Sequence, residues 1–157
     1  MTQSNSKQAT QWALVDKLQA MLVGTHVMTM DGELPVEFLQ PGDRILTRSG
    51  MRRLKQVEVS LVRNARVVRI SHSTLGIDRP CADMTVSASQ EILVRDWRAK
   101  AFCGTDTAMI AASKLADGEY IRRLMVAEAR FFALSFDEDV VIYAGGLELA
   151  CPVHVGV

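Results

Sequence analysis

Residues 24–48 read GTHVMTMDGELPVEFLQPGDRILTR and contain two short runs that favour β-strands, residues 25–30 and 44–48. These runs are separated by two strong turn signals, Asp31-Gly32 and Pro41-Gly42-Asp43. Turns at such short intervals between strand-forming runs are typical of an all-β domain. We therefore expect the chain to fold as a series of short strands.

A longer stretch rich in Val and Leu, residues 52–71, follows this segment. Asn64-Ala65 interrupts it, which predicts two long strands joined as a hairpin. Further strand-like patterns occur at residues 84–87, 90–95, 120–126, 130–136 and 140–144. Short strands combined with one long hairpin imply pairing between distant segments, and such sheets commonly coil on themselves because exposed edges favour aggregation.

The N-terminal region differs from the rest of the chain. Residues 1–9 are small and polar, so we expect a mobile tail. In residues 10–22, Leu14, Leu18 and Met21 recur at helical spacing. This pattern predicts a short helix, which either packs on the domain or binds a partner. The all-β domain is then expected to span residues 23–157.

The composition excludes several classes of protein. The 157-residue chain carries 18 Lys and Arg against 18 Asp and Glu, whereas dedicated nucleic-acid binders usually have a large basic excess. The length fits one domain. The three cysteines show no CxxC or CxxH spacing, so the sequence predicts no disulfide framework, no structural zinc site and no other cofactor.

Targeting signals are not evident in the sequence. No run of 18 apolar residues occurs, so no membrane-spanning helix is expected. The polar residues 1–8 are not followed by the apolar stretch that a signal peptide requires. We expect a protein that is cytoplasmic or is secreted by a signal-independent route.

Four segments occur in an order that is characteristic of one family. The first is residues 24–48, and the second is MTVSASQEILV at residues 84–94. The third lies between Asp96 and Gly118, and the fourth is FFALSFDEDVVIYAGGL at residues 131–147. Together they resemble the Hint (Hedgehog/intein) domain family, in its bacterial branch, over about residues 22–151. The second segment is similar to a family block that usually reads V-S-P-x-H, and the fourth resembles the family's closing hairpin.

The resemblance implies both a fold and a chemistry. The expected fold is a flattened, pseudo-two-fold, all-β horseshoe with a central cleft. Active members of the family rearrange their own backbone: a Cys, Ser or Thr at the first position of the domain attacks the preceding carbonyl. The resulting thioester or ester is then resolved by water, a sterol or a second nucleophile.

The family's nucleophile lies three or four positions before the Gly-Thr pair, which here is Gly24-Thr25. Those positions are occupied by Met21 and Ala20. A thioether and a methyl group cannot form the ester intermediate, because neither has an ionisable S–H or O–H group. The family's nucleophile is therefore missing from its expected place.

The family's proton donor is a histidine that follows a Ser or Thr by three residues. Ser87 is in place, but the histidine position is Gln90. A glutamine side chain donates hydrogen bonds but cannot give up a proton at neutral pH. Further histidines of the closing hairpin are replaced by Ala133 and Asp139.

These losses together indicate a degenerate member of the family with no catalytic residues. The positions that remain from the family's site are Ala20, Met21, Ser87, Gln90, Ala133 and Asp139. We expect this domain to act as a protein-interaction or regulatory module whose partner is a protein. No membrane partner is expected.

Two alternatives remain open at this point. The first is an autoprocessing domain with an unorthodox nucleophile, for which Cys151 near His154 is a candidate pair. The second is a weak nucleic-acid binder that uses the predicted basic hairpin of residues 52–69. Its basic residues are Arg52, Arg53, Lys55, Arg63, Arg66 and Arg69. No aromatic residues are interleaved with them to stack on bases, which favours a solvated or protein-binding face.

Overall fold

The computed structural model of the protein describes residues 18–153, which form two antiparallel sheets. The strands are β1 (Met21–Leu22), β2 (His26–Thr29), β3 (Gly32–Pro35), β4 (Arg44–Thr47), β5 (Gly50–Arg53), β6 (Gln56–Ile70), β7 (Met84–Ser87), β8 (Glu91–Val94), β9 (Ala108–Ala111), β10 (Ile121–Ser135), β11 (Val140–Ala144) and β12 (Leu147–Cys151). The predicted all-β class is confirmed.

Helical structure is sparse in this part of the chain. The helices are α1 (Trp97–Cys103) and α2 (Ala112–Leu115), with one 3₁₀ turn at Val36–Phe38. Helix α1 begins at Asp96, whose side chain accepts a hydrogen bond from the backbone N–H of Arg98 at 3.0 Å, as N-cap residues commonly do. Within residues 18–153, no helix is long and apolar enough to cross a membrane.

The first sheet closes into a ring of four strands. Strand β1 pairs with both β10 and β7, and β6 joins β10 to β7. The ring is closed over short stretches, at residues 131–132 of β10 and 67–70 of β6. The second sheet has the strand order β3-β2-β4-β11-β12-β8-β9, with β5 paired to β4. A large apolar cluster, here called the main core, includes residues from both sheets, among them Met21, Val86, Phe132, Ile142 and Leu149.

The longest elements, β6 and β10, form an antiparallel ribbon of two 15-residue strands. The hairpin predicted within residues 52–71 is therefore wrong, as is the division of residues 120–136 into two strands. Asn64 has a φ of 51°, a left-handed conformation that asparagine tolerates better than most residues. The chain consequently continues past the expected turn as a single strand.

The same position changes which side of the ribbon is buried. A second apolar cluster, here called the minor cluster, contains Val62 and Ala65 on β6. These residues are three apart rather than two, so β6 shifts its buried side by one position at Asn64. Strand β10 makes the same shift between Ala129 and Val126, which also belong to the minor cluster. The pairing register is therefore kept across the shift.

The helix predicted for residues 10–22 lies outside the described residues up to position 17, as does the tail predicted for residues 1–9. For residues 18–22 the prediction is wrong. Residues 18–20 have no regular structure, and Met21–Leu22 is strand β1. Met21 packs in the main core, whereas Ala20 and Leu22 pack with the minor cluster. Burial thus alternates with a period of two, as in a strand.

The start of β10 is organised by the carboxylate of Asp117. Its Oδ1 atom accepts hydrogen bonds from the backbone N–H groups of Glu119, Tyr120 and Ile121, at 2.8, 2.9 and 2.9 Å. Burial raises the pKa of this carboxyl, but the backbone donors lower it by more, so the net pKa is below the ordinary 3.8. The ionised carboxylate therefore stabilises the fold.

We predict that Asp117→Asn lowers the free energy of unfolding at neutral pH by about 1 kcal/mol, because it removes the charge from these hydrogen bonds. The folded-state pKa is depressed, so the contribution of Asp117 is complete above its ordinary pKa of 3.8 and is lost as the pH falls through the lower folded value. Urea unfolding at neutral pH and in acid measures both effects. Asp106→Asn, at an exposed position, is the control. If Asp117→Asn lost as much stability between neutral pH and acid as the native protein does, the prediction would be contradicted.

Candidate functional site

The chain enters the ring of strands through residues 18–21, which lie against residues 87–91. The hydroxyls of Ser87 and Ser89 both donate to the carbonyl oxygen of Leu18, at 2.6 and 2.8 Å. The backbone N–H of Ala20 donates to the Ser87 hydroxyl at 3.2 Å. The backbone N–H of Ser87 donates to the carbonyl oxygen of Ala20 at 3.0 Å. The Ser87 hydroxyl therefore lies directly beside the peptide bond between Gln19 and Ala20.

The side chain of Gln19 pairs with the neighbouring segment as a peptide group would. Its Oε1 atom accepts a hydrogen bond from the backbone N–H of Glu91 at 2.7 Å. Its Nε2 atom donates to the carbonyl oxygen of Ser89 at 2.9 Å. These two bonds join the Gln19 side chain to backbone groups on both sides of Gln90. The chain just before Ala20 is thus held by side-chain as well as backbone hydrogen bonds.

Gln90 is fully buried at the centre of this arrangement. Its Nε2 atom lies 3.1 Å from Oε1 of Gln19, 2.9 Å from the carbonyl oxygen of Glu91 and 3.0 Å from that of Ala150. The side chain thereby links the entering chain to β8 and β12. No described residue donates a hydrogen bond to Oε1 of Gln90. An amide at this place fixes geometry but transfers no proton.

The two positions predicted for the family's nucleophile have different surroundings. Ala20 is fully buried in the minor cluster, and its amide nitrogen contacts Ser87. Met21 points into the main core and pairs with Phe132 and Val86. Ala133 is partly buried against the same minor cluster as Ala20. The structure therefore brings Ala20, Ser87, Gln90 and Ala133 to one region, whereas the Met21 side chain faces the main core.

Asp139 and Gln19 line one pocket of about 550 Å³, together with residues that include Arg48, Ala150 and Cys151. We call this space the Gln19 pocket. The carboxylate of Asp139 accepts a hydrogen bond from the backbone N–H of Val153 at 2.7 Å. Asp139 thus shares a cavity with Gln19, but its carboxylate is bonded to the segment that follows β12.

Cys151 lies in β12 opposite Val140 and is buried. Burial raises the pKa of its thiol to about 12, so the thiolate that would act as a nucleophile is scarce at neutral pH. His154, its predicted partner, lies outside the described residues. Within residues 18–153, no group of three or more His, Cys, Asp or Glu side chains is placed to hold a metal ion.

We predict that two of the three thiols react with Ellman's reagent in the folded protein. Cys81 and Cys103 are exposed, whereas Cys151 is buried and stays protonated. Cys151 should react only after unfolding in guanidinium chloride. Rapid reaction of all three thiols in native buffer would contradict the structure, and Cys151→Ser provides the control that assigns the slow thiol.

The six basic residues do not form the predicted hairpin. Arg52 and Arg53 lie on β5, Lys55 in the following link, and Arg63, Arg66 and Arg69 on β6. Ion pairs join Arg52 to Glu138 at 2.6 Å, Lys55 to Asp137 at 2.8 Å and Arg69 to Asp83 at 3.1 Å. Arg63 lies directly across from Glu128 in the ribbon. Much of the positive charge is therefore balanced by acidic neighbours, which weakens the nucleic-acid alternative.

Sequence reasoning missed the contribution of Gln19, Ser89 and Glu91. One signal was available, since Ser87 and Ser89 are two residues apart and therefore face the same side of an extended chain. The pairing of Gln19 with residues 89–91 joins segments 70 to 72 positions apart. Nothing in the local pattern indicates such a contact.

We predict that Ser87→Ala lowers the free energy of unfolding by about 1–3 kcal/mol, because it leaves the buried N–H of Ala20 without its acceptor. Ser89→Ala should cost less, about 0.5–1.5 kcal/mol, since Ser87 still donates to Leu18. Urea unfolding measures both values. The matched control is Ser60→Ala, at a partly buried position of β6. Equal stability of the Ser87→Ala and Ser60→Ala variants would show that the hydrogen bonds of Ser87 to Leu18 and Ala20 do not stabilise the fold.

The fold, with residues 18–21 held against residues 87–91, defines a domain of the intein-like class. Comparison with known proteins identifies the family. The model of the Hint domain family matches residues 19–151. The chain therefore belongs to the Hint domain family. The match begins at Gln19, within the segment that Ser87 holds.

Solved structures of inteins share this fold. The TvoVMA intein has a TM-score of 0.60 at 13% identity, with 83% of this chain and 96% of that chain covered. An intein-like domain from Clostridium thermocellum has a TM-score of 0.54 at 12% identity, covering 85% and 99%. The gp41-1 intein has a TM-score of 0.55 at 13% identity, covering 84% and 97%. At these identities the likeness establishes the fold. No curated protein matches the chain.

Proposed function

We propose that this protein is a Hint domain that has lost self-cleavage and serves as a protein-interaction or regulatory module. The observation that carries the proposal is the methyl side chain of Ala20, which is buried in the minor cluster. Its backbone nitrogen belongs to the peptide that Ser87 contacts. The site therefore holds a peptide bond in a defined position with no nucleophilic atom on the side chain that follows it.

Cleavage of the family's type would need two groups at this peptide. A nucleophile on residue 20 would have to attack the carbonyl carbon of Gln19, and an acid would have to protonate the nitrogen of Ala20 as the C–N bond breaks. Alanine supplies no nucleophile. The amide of Gln90 supplies no proton and is engaged with Gln19 and two carbonyl oxygens. These facts support retention of the bond.

The Gln19 pocket supports a binding role. It has a volume of about 550 Å³, and Met109, Val141 and Pro152 contribute apolar surface to its lining. Apolar pockets with a few polar groups are common binding sites. The pocket borders the held segment, so occupation by a partner would contact Gln19 directly.

The first test is the intact mass of the protein after incubation with dithiothreitol or hydroxylamine, which cleave thioesters and esters. The expected result is an unchanged mass, because no acyl intermediate forms at Gln19. Release of residues 1–19 would show that the domain is an active autoprocessing enzyme.

We predict that the double variant Ala20→Cys with Gln90→His regains cleavage. The new thiol would attack the Gln19 carbonyl and break its bond to the nitrogen of residue 20, which the imidazole protonates; dithiothreitol would then release residues 1–19. The matched control is Met21→Cys with Gln90→His, which should stay intact because Met21 points into the main core. Mass spectrometry distinguishes them. Two inert variants would mean that the scaffold has not kept a cleavage-competent geometry.

One observation favours a second candidate function, autoprocessing with Cys151 as the nucleophile. Cys151 and Gln19 line the same pocket. The raised pKa of the Cys151 thiol and the position of this residue within β12 oppose this function. Under this alternative, the native protein would be cleaved in the mass experiment and Cys151→Ser would abolish that cleavage.

A further inference from the structure

The carboxylate of Glu148 lies at the centre of a cluster of arginines. Nη1 of Arg48 is 3.0 Å from Oε2 of Glu148, while Nη1 of Arg79 and Nη2 of Arg95 are 3.2 and 2.6 Å from Oε1. The Glu148 side chain is only 4% exposed. Arg48 follows β4, Arg79 precedes β7 and Arg95 follows β8, so three separate parts of the fold converge on this group. We call these four residues the arginine cluster.

The arginine cluster has an excess of positive charge. Three guanidinium groups face one carboxylate, and Glu148 is the one acidic side chain that forms an ion pair with any of the three among residues 18–153. Two neighbouring carboxylates are engaged elsewhere: Asp96 pairs with Arg98, and Asp139 accepts from Val153. Like charges this close repel each other strongly near a protein surface. A second anion at the cluster would relieve that repulsion.

The arginine cluster also has guanidinium N–H groups that its ion pairs with Glu148 do not use. Arg48 and Arg95 have side chains that are 45% and 46% exposed, so both are partly open to solvent. Each guanidinium carries five N–H donors. Arg79 uses two of its nitrogens, for Glu148 and for the carbonyl oxygen of Leu93, while its buried Nε contacts no acceptor among the described residues. Such planar donors suit carboxylate and phosphate groups.

We propose that the arginine cluster is a binding site for an oxyanion group, a carboxylate or a phosphate, which Arg48 and Arg95 contact from the solvent side. Glu148 orients the three arginines but does not neutralise them. The site is independent of self-cleavage, because none of its four side chains hydrogen-bonds to the Gln19–Ala20 peptide. Arg48 also lines the Gln19 pocket, so a ligand with an apolar portion beside its anionic group would fill both.

The test is thermal unfolding in inorganic phosphate, in acetate and in chloride at equal ionic strength. Phosphate also stabilises proteins nonspecifically, so each series is repeated with the double variant Arg48→Gln with Arg95→Gln. The control variant, Arg122→Gln with Arg130→Gln, removes two other exposed arginines. The expected result is a saturable rise in midpoint of about 3 °C in the native protein and the control. The double variant Arg48→Gln with Arg95→Gln should show no such saturable rise in the unfolding midpoint.

The acetate and phosphate series distinguish the source of the oxyanion. A rise in acetate alone indicates a carboxylate ligand, a rise in phosphate alone indicates a phosphate-bearing one, and a rise in both indicates a site that accepts either group; each supports the site. An equal rise in the Arg48 and Arg95 variant, or none in the native protein, would overturn it.

Glu148→Gln provides a second arm that does not depend on the stability of the arginine variant. Removing the resident carboxylate should make the cluster bind phosphate more tightly than the native protein does, by about tenfold for the loss of one nearby charge. Calorimetric titration with inorganic phosphate measures this. Glutamine keeps an oxygen that accepts from the arginines, so their orientation should be kept; phosphate binding that is unchanged or weaker than in the native protein would show that phosphate does not bind at this cluster.

Discussion

The hydroxyl of Ser87 joins the entering chain to the rest of the fold. It donates to the carbonyl oxygen of Leu18 and accepts from the N–H of Ala20. Strand β1 has only two residues, yet it closes the four-stranded ring by pairing with β7 and β10. So short a strand makes few ladder bonds of its own. Its position therefore depends on side-chain hydrogen bonds with residues 87–91, and the Gln19 amide adds two of them.

The proposed loss of cleavage needs no change in this arrangement. Correct placement of a peptide bond is needed both to break it and to keep it fixed in a binding domain. In the proposed function, the two outcomes differ in two side chains: a nucleophile or the methyl of Ala20, and an imidazole or the amide of Gln90. Because Gln90 bonds to Gln19 and to β12, its amide links the held segment to the second sheet.

Local patterns were sufficient for much of the fold. Strands β7 and β11 match the predicted residues 84–87 and 140–144, because turn residues bound short runs with strong β propensity. Asn64 was misleading, since the residue tolerates a positive φ within a strand as well as in a turn. Residues 18–22 were misleading as well, because Leu18, Met21 and Leu22 fit either a helical stripe or a strand buried on both faces.

The candidate site was only partly accessible from the sequence. The family resemblance pointed to Ala20, Ser87 and Gln90, and they lie together in the structure. The choice between Ala20 and Met21 needed the direction of each side chain, which depends on pairing with β7 and β10. The arginine cluster was not predicted, because its members are far apart in sequence and converge only through the buried Glu148.

Amide hydrogen exchange at Ala20 tests most directly whether the Gln19–Ala20 peptide is a permanent part of the fold. Its N–H is buried and bonded to Ser87, so exchange should require the same opening free energy as a core amide such as that of Ile142. The expected result is slow exchange at Ala20, with the protection lost in Ser87→Ala while Ile142 stays protected. Fast exchange at Ala20 in the native protein would contradict the claim that this segment is held.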